Sequence, residues 1–149
     1  VRSRRQRQMC IRDSYESEKL PYKDDFLNAP GGIPGIEERM EVVLTEGLKR
    51  GVSPKRLRDL LSTNPAKIFG LGHKKGSLEV GKDADIVVFD EEKYTISQAN
   101  RHSNCDYTTY EGFESDFKVK MVLSRGEIIL ENSEYKAEKG RGKFIKRKF

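Results

Sequence analysis

The chain has 149 residues, of which 35% are hydrophobic and 36% charged, with a net charge of +5. That is one ordinary domain's length with a lean supply of core-forming side chains, so a small core or a domain that packs on further protein both fit. No apolar run is long enough to span a bilayer, no signal-peptide pattern opens the chain, and Cys10 and Cys105 form neither a disulfide framework nor a CxxC pair.

The positive charge lies at the two ends. Arg2, Arg4, Arg5, Arg7 and Arg12 face only Asp13 in the first fourteen residues. Lys136, Lys139, Arg141, Lys143, Lys146, Arg147 and Lys148 face only Glu138 in the last fourteen, and the middle is net acidic. A nucleic-acid partner wants basic residues gathered on a folded face, so this pattern argues against one, and no membrane partner is expected.

In chain order, residues 1–14 show no apolar periodicity and resemble a translated sequencing adapter. They are expected to be a non-native, disordered arm, and Met9, Cys10 and Asp13 are not read as site residues. Residues 15–35 read as loop, because Pro21, Pro30 and Pro34 with Gly31, Gly32 and Gly35 oppose regular structure. A helix is predicted from Ile36, with Met40, Val43, Leu44 and Leu48 on one apolar face and Gly51 as its stop. Ser53-Pro54 caps a second helix carrying Leu57, Leu60 and Leu61. Asn64-Pro65 is read as repeating that device for a third helix with Ala66, Ile68 and Phe69, ended by Gly70.

The pattern then turns to β. Residues 84–89 are predicted as a buried strand, because Ile86, Val87, Val88 and Phe89 are β-branched or aromatic. Lys120 to Ser124 and Glu127 to Leu130 flank Arg125-Gly126, a hairpin signal. A polar loop is expected around 91–117. The basic tail, 135–149, has too many charges to fold alone and is expected to dangle or to lie on another subunit.

Two stretches then carry a resemblance. One runs Asn64-Pro65-Ala66-Lys67; the other runs from Lys75-Gly76 through Val80-Gly81 to Asp83-Ala84-Asp85. Together they resemble the amidohydrolase superfamily. Pro30-Gly31-Gly32-Ile33-Pro34-Gly35 with Glu37-Glu38-Arg39-Met40, Asp106-Tyr107 through Glu111-Gly112, and Gly140 through Lys148 narrow it. They are similar to the dihydropyrimidinase/D-hydantoinase family, and the likeness covers about residues 22–149.

The resemblance implies an α/β fragment: the C-terminal end of a metal-dependent hydrolase TIM barrel (loop 8 and closing helices) with part of a β-sandwich domain. Residues 15–70 would be the barrel's end, 71–134 the sandwich portion and 135–149 the tail. The family hydrolyses a cyclic amide with two divalent metals, usually zinc, held by four histidines, a carboxylated lysine and an aspartate. The resemblance places all of these before the matched region, and the aspartate's position coincides with Met9. No catalytic residue and no metal ligand is therefore expected in this chain. A small cyclic amide as substrate, a homo-tetramer and a cytoplasmic location are what the resemblance and the cysteine usage imply for the parent.

The residues agree on their own terms. His73 and His102 are the only histidines, and neither belongs to an HxH pair. Asp83 and Asp85 could share one strand face and bind a metal, but are read as turn and strand-edge acceptors. Cys105, between Asn104 and Asp106, has no histidine base placed by motif. Tyr107, Tyr110, Phe113 and Phe117 are read as packing or subunit contacts. Gly31 stands where the family holds the ring amide through main-chain groups, so it is the candidate substrate contact. A glycine lets backbone approach a flat ring, and it equally suits a plain turn. Alternatives are a dihydropyrimidinase-like scaffold without catalysis, another cyclic amidohydrolase such as allantoinase or dihydroorotase, and a self-standing binding module.

Overall fold

The structure, a computed structural model, describes residues 15–148. The expectations for the arm, with Met9, Cys10 and Asp13, lie outside the described residues. In chain order the elements are α1 (Glu16–Lys19), α2 (Arg39–Lys49), α3 (Pro54–Arg58), α4 (Asn64–Ile68), β1 (Ile86–Asp90), β2 (Tyr94–Thr95), β3 (Glu114–Ser115), β4 (Lys118–Ser124), β5 (Glu127–Glu131) and β6 (Glu134–Tyr135). They fall into two compact units. One holds the described chain up to Arg39 with Tyr94–Ser115, and the other holds Met40–Lys93 with the chain from Asp116 onward.

In the second unit, α2 begins at Arg39 rather than Ile36. It ends as predicted at Gly51, whose φ of 76° lets the Val52 N–H reach the Gly47 carbonyl at 2.9 Å and its own N–H reach Leu48 at 3.0 Å. The buried face of α2 is not the expected apolar one. Glu41 and Thr45 are its buried residues, while Met40, Val43, Leu44 and Leu48 stay half-buried. The reason is hydrogen bonding: Thr45 Oγ1 accepts the Asp116 N–H at 3.1 Å and Glu41 Oε1 accepts the Val119 N–H at 3.2 Å. These side chains satisfy backbone donors where β4 begins.

Ser53 caps α3 as predicted, its hydroxyl accepting the Arg56 N–H at 3.3 Å with Pro54 in the first turn. Asn64-Pro65 does not open a separate helix. Arg58, Thr63 and Asn64 all have right-handed helical dihedrals, and a π turn, Asp59–Thr63, joins α3 to α4. The Asn64 N–H bonds Asp59 O across this widened turn. Pro65 lacks an N–H and crowds the carbonyl before it, so the wider turn accommodates it without a break. Leu57 is buried against Gly47, whose missing side chain makes the approach possible: a Cβ there would sit 2.6 Å from Leu57 Cδ2.

The sheet order is β1-β4-β5-β6, antiparallel throughout. The predicted hairpin forms with Ser124 opposite Glu127, and Arg125 (φ 53°) and Gly126 (φ 83°) supply the two left-handed positions of the turn. β1 was expected to be buried, yet Val87 and Val88, which as neighbours on a strand point to opposite faces, are both exposed. A second tight turn, Asn132 (φ 48°) and Ser133 (φ 66°), folds β6 onto β5. The tail beyond it is tied to this unit through Arg141 and Lys148, while Phe144 between them stays exposed. Arg141 Nη2 donates to the Ser124 carbonyl and to Glu127 Oε2, both at 2.7 Å, and the Lys148 N–H reaches Gly70 O at 2.7 Å.

In the first unit, β2 pairs with β3 through Tyr94–Ser115 and Thr95–Glu114. Ile96 is fully buried beside them, with its N–H on Phe113 O and its carbonyl accepting from Gly112 N, both at 2.9 Å. The stretch expected as a polar loop is thus partly organised. Among the described residues, no helix is long and apolar enough to cross a membrane.

Candidate functional site

The first unit brings together parts of two stretches singled out in the sequence, 30–39 and 106–112. Residues 30–35 form no regular element, so side chains from elsewhere must fix them. Lys19 Nζ donates to the Gly32 carbonyl and to Tyr107 Oη, at 2.8 Å for the latter, with its ammonium 5.5 Å from the Tyr107 ring centre. Thr109 Oγ1 donates to the Pro34 carbonyl at 3.0 Å. Gly35 has φ 150°, and a Cβ there would stand 3.1 Å from Tyr110 Cε2. Here the backbone conformation favours glycine, and a Cβ would press on the Tyr110 ring.

Glu37 and Glu38 were read as acids favoured by the helix dipole. They do something more specific. The Glu37 carboxylate accepts the His102 N–H at 3.0 Å and the Ser103 N–H at 3.0 Å, and lies 3.0 Å from His102 Nδ1. Glu38 is buried and faces the Arg101 guanidinium at 4.0 Å. Arg101 Nη2 in turn donates to Tyr94 Oη at 2.8 Å, over whose ring it lies. A shallow cleft of ≈ 300 Å³ opens between Pro34, Gly35, Glu37, His102, Ser103 and Tyr107.

Gly31 sits at the exposed start of this loop, with open space where a Cβ would be. Among the described residues, neither Gly31 nor Ile33 makes a hydrogen bond through its main chain. Asp83 and Asp85 lie in the other unit as turn and strand-edge acceptors. Lys75 Nζ bridges both, at 2.9 Å from Asp83, and Asp85 Oδ1 accepts the Arg125 N–H at 2.8 Å. His73 is half-buried in the same unit. Cys105 is half-buried, its carbonyl accepting from Gln98 Nε2 at 2.6 Å. Tyr110 and Phe113 pack edge to face at 6.2 Å.

This donor set does not suit a metal pair. Glu37 is committed to backbone N–H groups, Asp83 and Asp85 to Lys75, and no three of His, Cys, Asp and Glu gather among the described residues. What the arrangement can do is hold a backbone strip in one conformation. Lys19, Glu37 and Thr109 do that work and were not predicted. Only the clustering of Thr108-Thr109 between two tyrosines hinted at it, since a threonine hydroxyl can reach a neighbouring carbonyl.

Comparison with known proteins gives a consistent outcome. Residues 31–129 match the amidohydrolase family model. D-phenylhydantoinase of Escherichia coli O127:H6 (strain E2348/69 / EPEC) is 39% identical over 128 residues, 85% of this chain and 28% of that protein. The solved structure of D-hydantoinase (dihydropyrimidinase) from Thermus sp. is 40% identical, with a TM-score of 0.85 over 91% of this chain and 30% of that one. Dihydropyrimidinase from Brevibacillus agri is 38% identical at the same TM-score and coverage. The chain thus spans less than a third of the relatives that it matches.

Proposed function

The chain belongs to the amidohydrolase family, and we propose that the protein to which it contributes hydrolyses the ring amide of a hydantoin or dihydropyrimidine. The observation that carries this is the likeness to D-hydantoinases, 40% identity sustained over 91% of the chain at a TM-score of 0.85. The exposed Leu60, Ile68, Phe69 and Leu78 add support, because apolar faces of this kind suit a chain that packs on more protein. In this reading residues 15–70 close a barrel, 71–134 belong to a sheet domain, and the working assembly is a cytoplasmic homo-oligomer, a tetramer by resemblance.

The metal pair, zinc by resemblance, would polarise the ring carbonyl and supply the hydroxide. The described residues do not fit it: no three of His, Cys, Asp and Glu gather among them. This chain's share is binding. The main-chain groups of Gly31 and Ile33, which make no hydrogen bond among the described residues, would supply donors and acceptors to a planar cyclic amide. The isolated 149-residue chain is then inactive. The test is ring opening of dihydrouracil and of hydantoin by the full-length protein. Turnover of either supports the reading, and turnover of neither, in a folded and metal-loaded protein, refutes it.

A further inference from the structure

We propose that Glu37 and Thr109 are positioning residues that set the main-chain groups of Gly31 and Ile33 for a planar cyclic amide. The inference rests on the reading above that this loop meets the substrate. Residues 30–36 hold three glycines and two prolines and form no regular element, so the loop cannot fix itself. Its conformation is imposed from sequence-distant chain. Thr109 pins the Pro34 carbonyl at 3.0 Å, and Glu37 grips the His102 and Ser103 N–H groups at 3.0 Å each. These carboxylate bonds are charge-assisted and fix direction as well as distance.

Gly31 and Ile33 flank the anchored Gly32 and are among the loop residues whose main chain makes no hydrogen bond among the described residues. Contacts made by backbone carry no adjustable rotamer, so their value to a ligand depends on where the chain is held. A displacement of about 1 Å can cost on the order of a hundredfold in such a site. Loss of either anchor weakens ground-state and transition-state binding alike, which raises KM and spares kcat.

The experiment uses the full-length protein with Thr109→Val, Thr109→Ser and Glu37→Ala, hydantoin as substrate, and hydrogen exchange of amides 31–36 as a readout independent of turnover. Thr109→Val and Glu37→Ala are expected to speed exchange in that segment and raise KM about tenfold, with kcat within about twofold. Thr109→Ser keeps the hydroxyl and returns both to the parental values. Unchanged exchange in Thr109→Val and Glu37→Ala overturns the inference, as does faster exchange with an unmoved KM. Faster exchange in Thr109→Val and Glu37→Ala, when the parental protein never opens hydantoin, supports the anchoring and rejects the hydantoinase reading alone.

Discussion

The Glu41 carboxylate of α2 accepts the Val119 N–H of β4 at 3.2 Å, from a side chain only 3% exposed. With Leu57, Ala66 and Ile96 as the buried hydrophobics among the described residues, the apolar core is thin. Polar links such as this one therefore decide whether β4 stays in register. Glu41→Leu leaves a part-buried N–H without its acceptor and is expected to cost about 1–3 kcal/mol. Urea unfolding of the chain measures it, and a shift below about 0.5 kcal/mol, typical of surface changes, would show that the link contributes little.

Gly76 and Gly81 separate backbone strain from crowding. Both have left-handed dihedrals, with φ 93° and 89°. A Cβ at Gly76 would stand 2.6 Å from Ala66 Cβ and 3.4 Å from Ser62 O, whereas nothing lies within 4 Å at Gly81. Gly81→Ala is expected to cost about 1 kcal/mol from strain alone, and Gly76→Ala clearly more, about 3 kcal/mol, because Ala66 has no rotamer with which to yield. Equal losses in thermal unfolding would mean that α4 moves freely away from the loop.

Much of this could be read in advance, and the successes share a cause. Ser53-Pro54, Gly51 and Arg125-Gly126 act on their own backbone neighbours, so a few consecutive residues suffice to identify them. The failures are non-local. α2 starts late as Glu37 and Glu38 are drawn to Ser103 and Arg101, more than sixty residues away in sequence. Glu41 and Thr45 are buried for bonds to 116–119, which helical periodicity cannot reveal. Asn64-Pro65 looks like Ser53-Pro54, yet the π turn before it absorbs the proline. Asn132-Ser133 was legible in principle, since asparagine tolerates the left-handed region. At the candidate site, the loop was visible and its anchors were not.

Lys75 and Asp83 make stability depend on pH at both extremes. Asp83 is held below its ordinary 3.8, first by the hydrogen bond from Lys75. Its contribution is whole above pH 3.8 and is lost as pH falls through the depressed folded value. For Lys75, burial is the largest single influence and pushes downward, but the bonds and charges of Asp85 and Asp83 together raise it above 10.5. That contribution is whole below pH 10.5 and is lost as pH rises through the raised value. The stability gap between the parent chain and Asp83→Asn is therefore expected to be flat near neutrality and to close below pH 3.8. Urea midpoints across pH measure this, and a gap that widens on acidification would contradict it.

The most direct measurement incubates the isolated 149-residue chain with zinc and dihydrouracil, following metal content and ring opening together. Neither stoichiometric zinc nor turnover is expected, because Glu37, Asp83 and Asp85 are already engaged and no ligand cluster stands among the described residues. Tightly held zinc with ring opening by this chain alone would contradict that expectation.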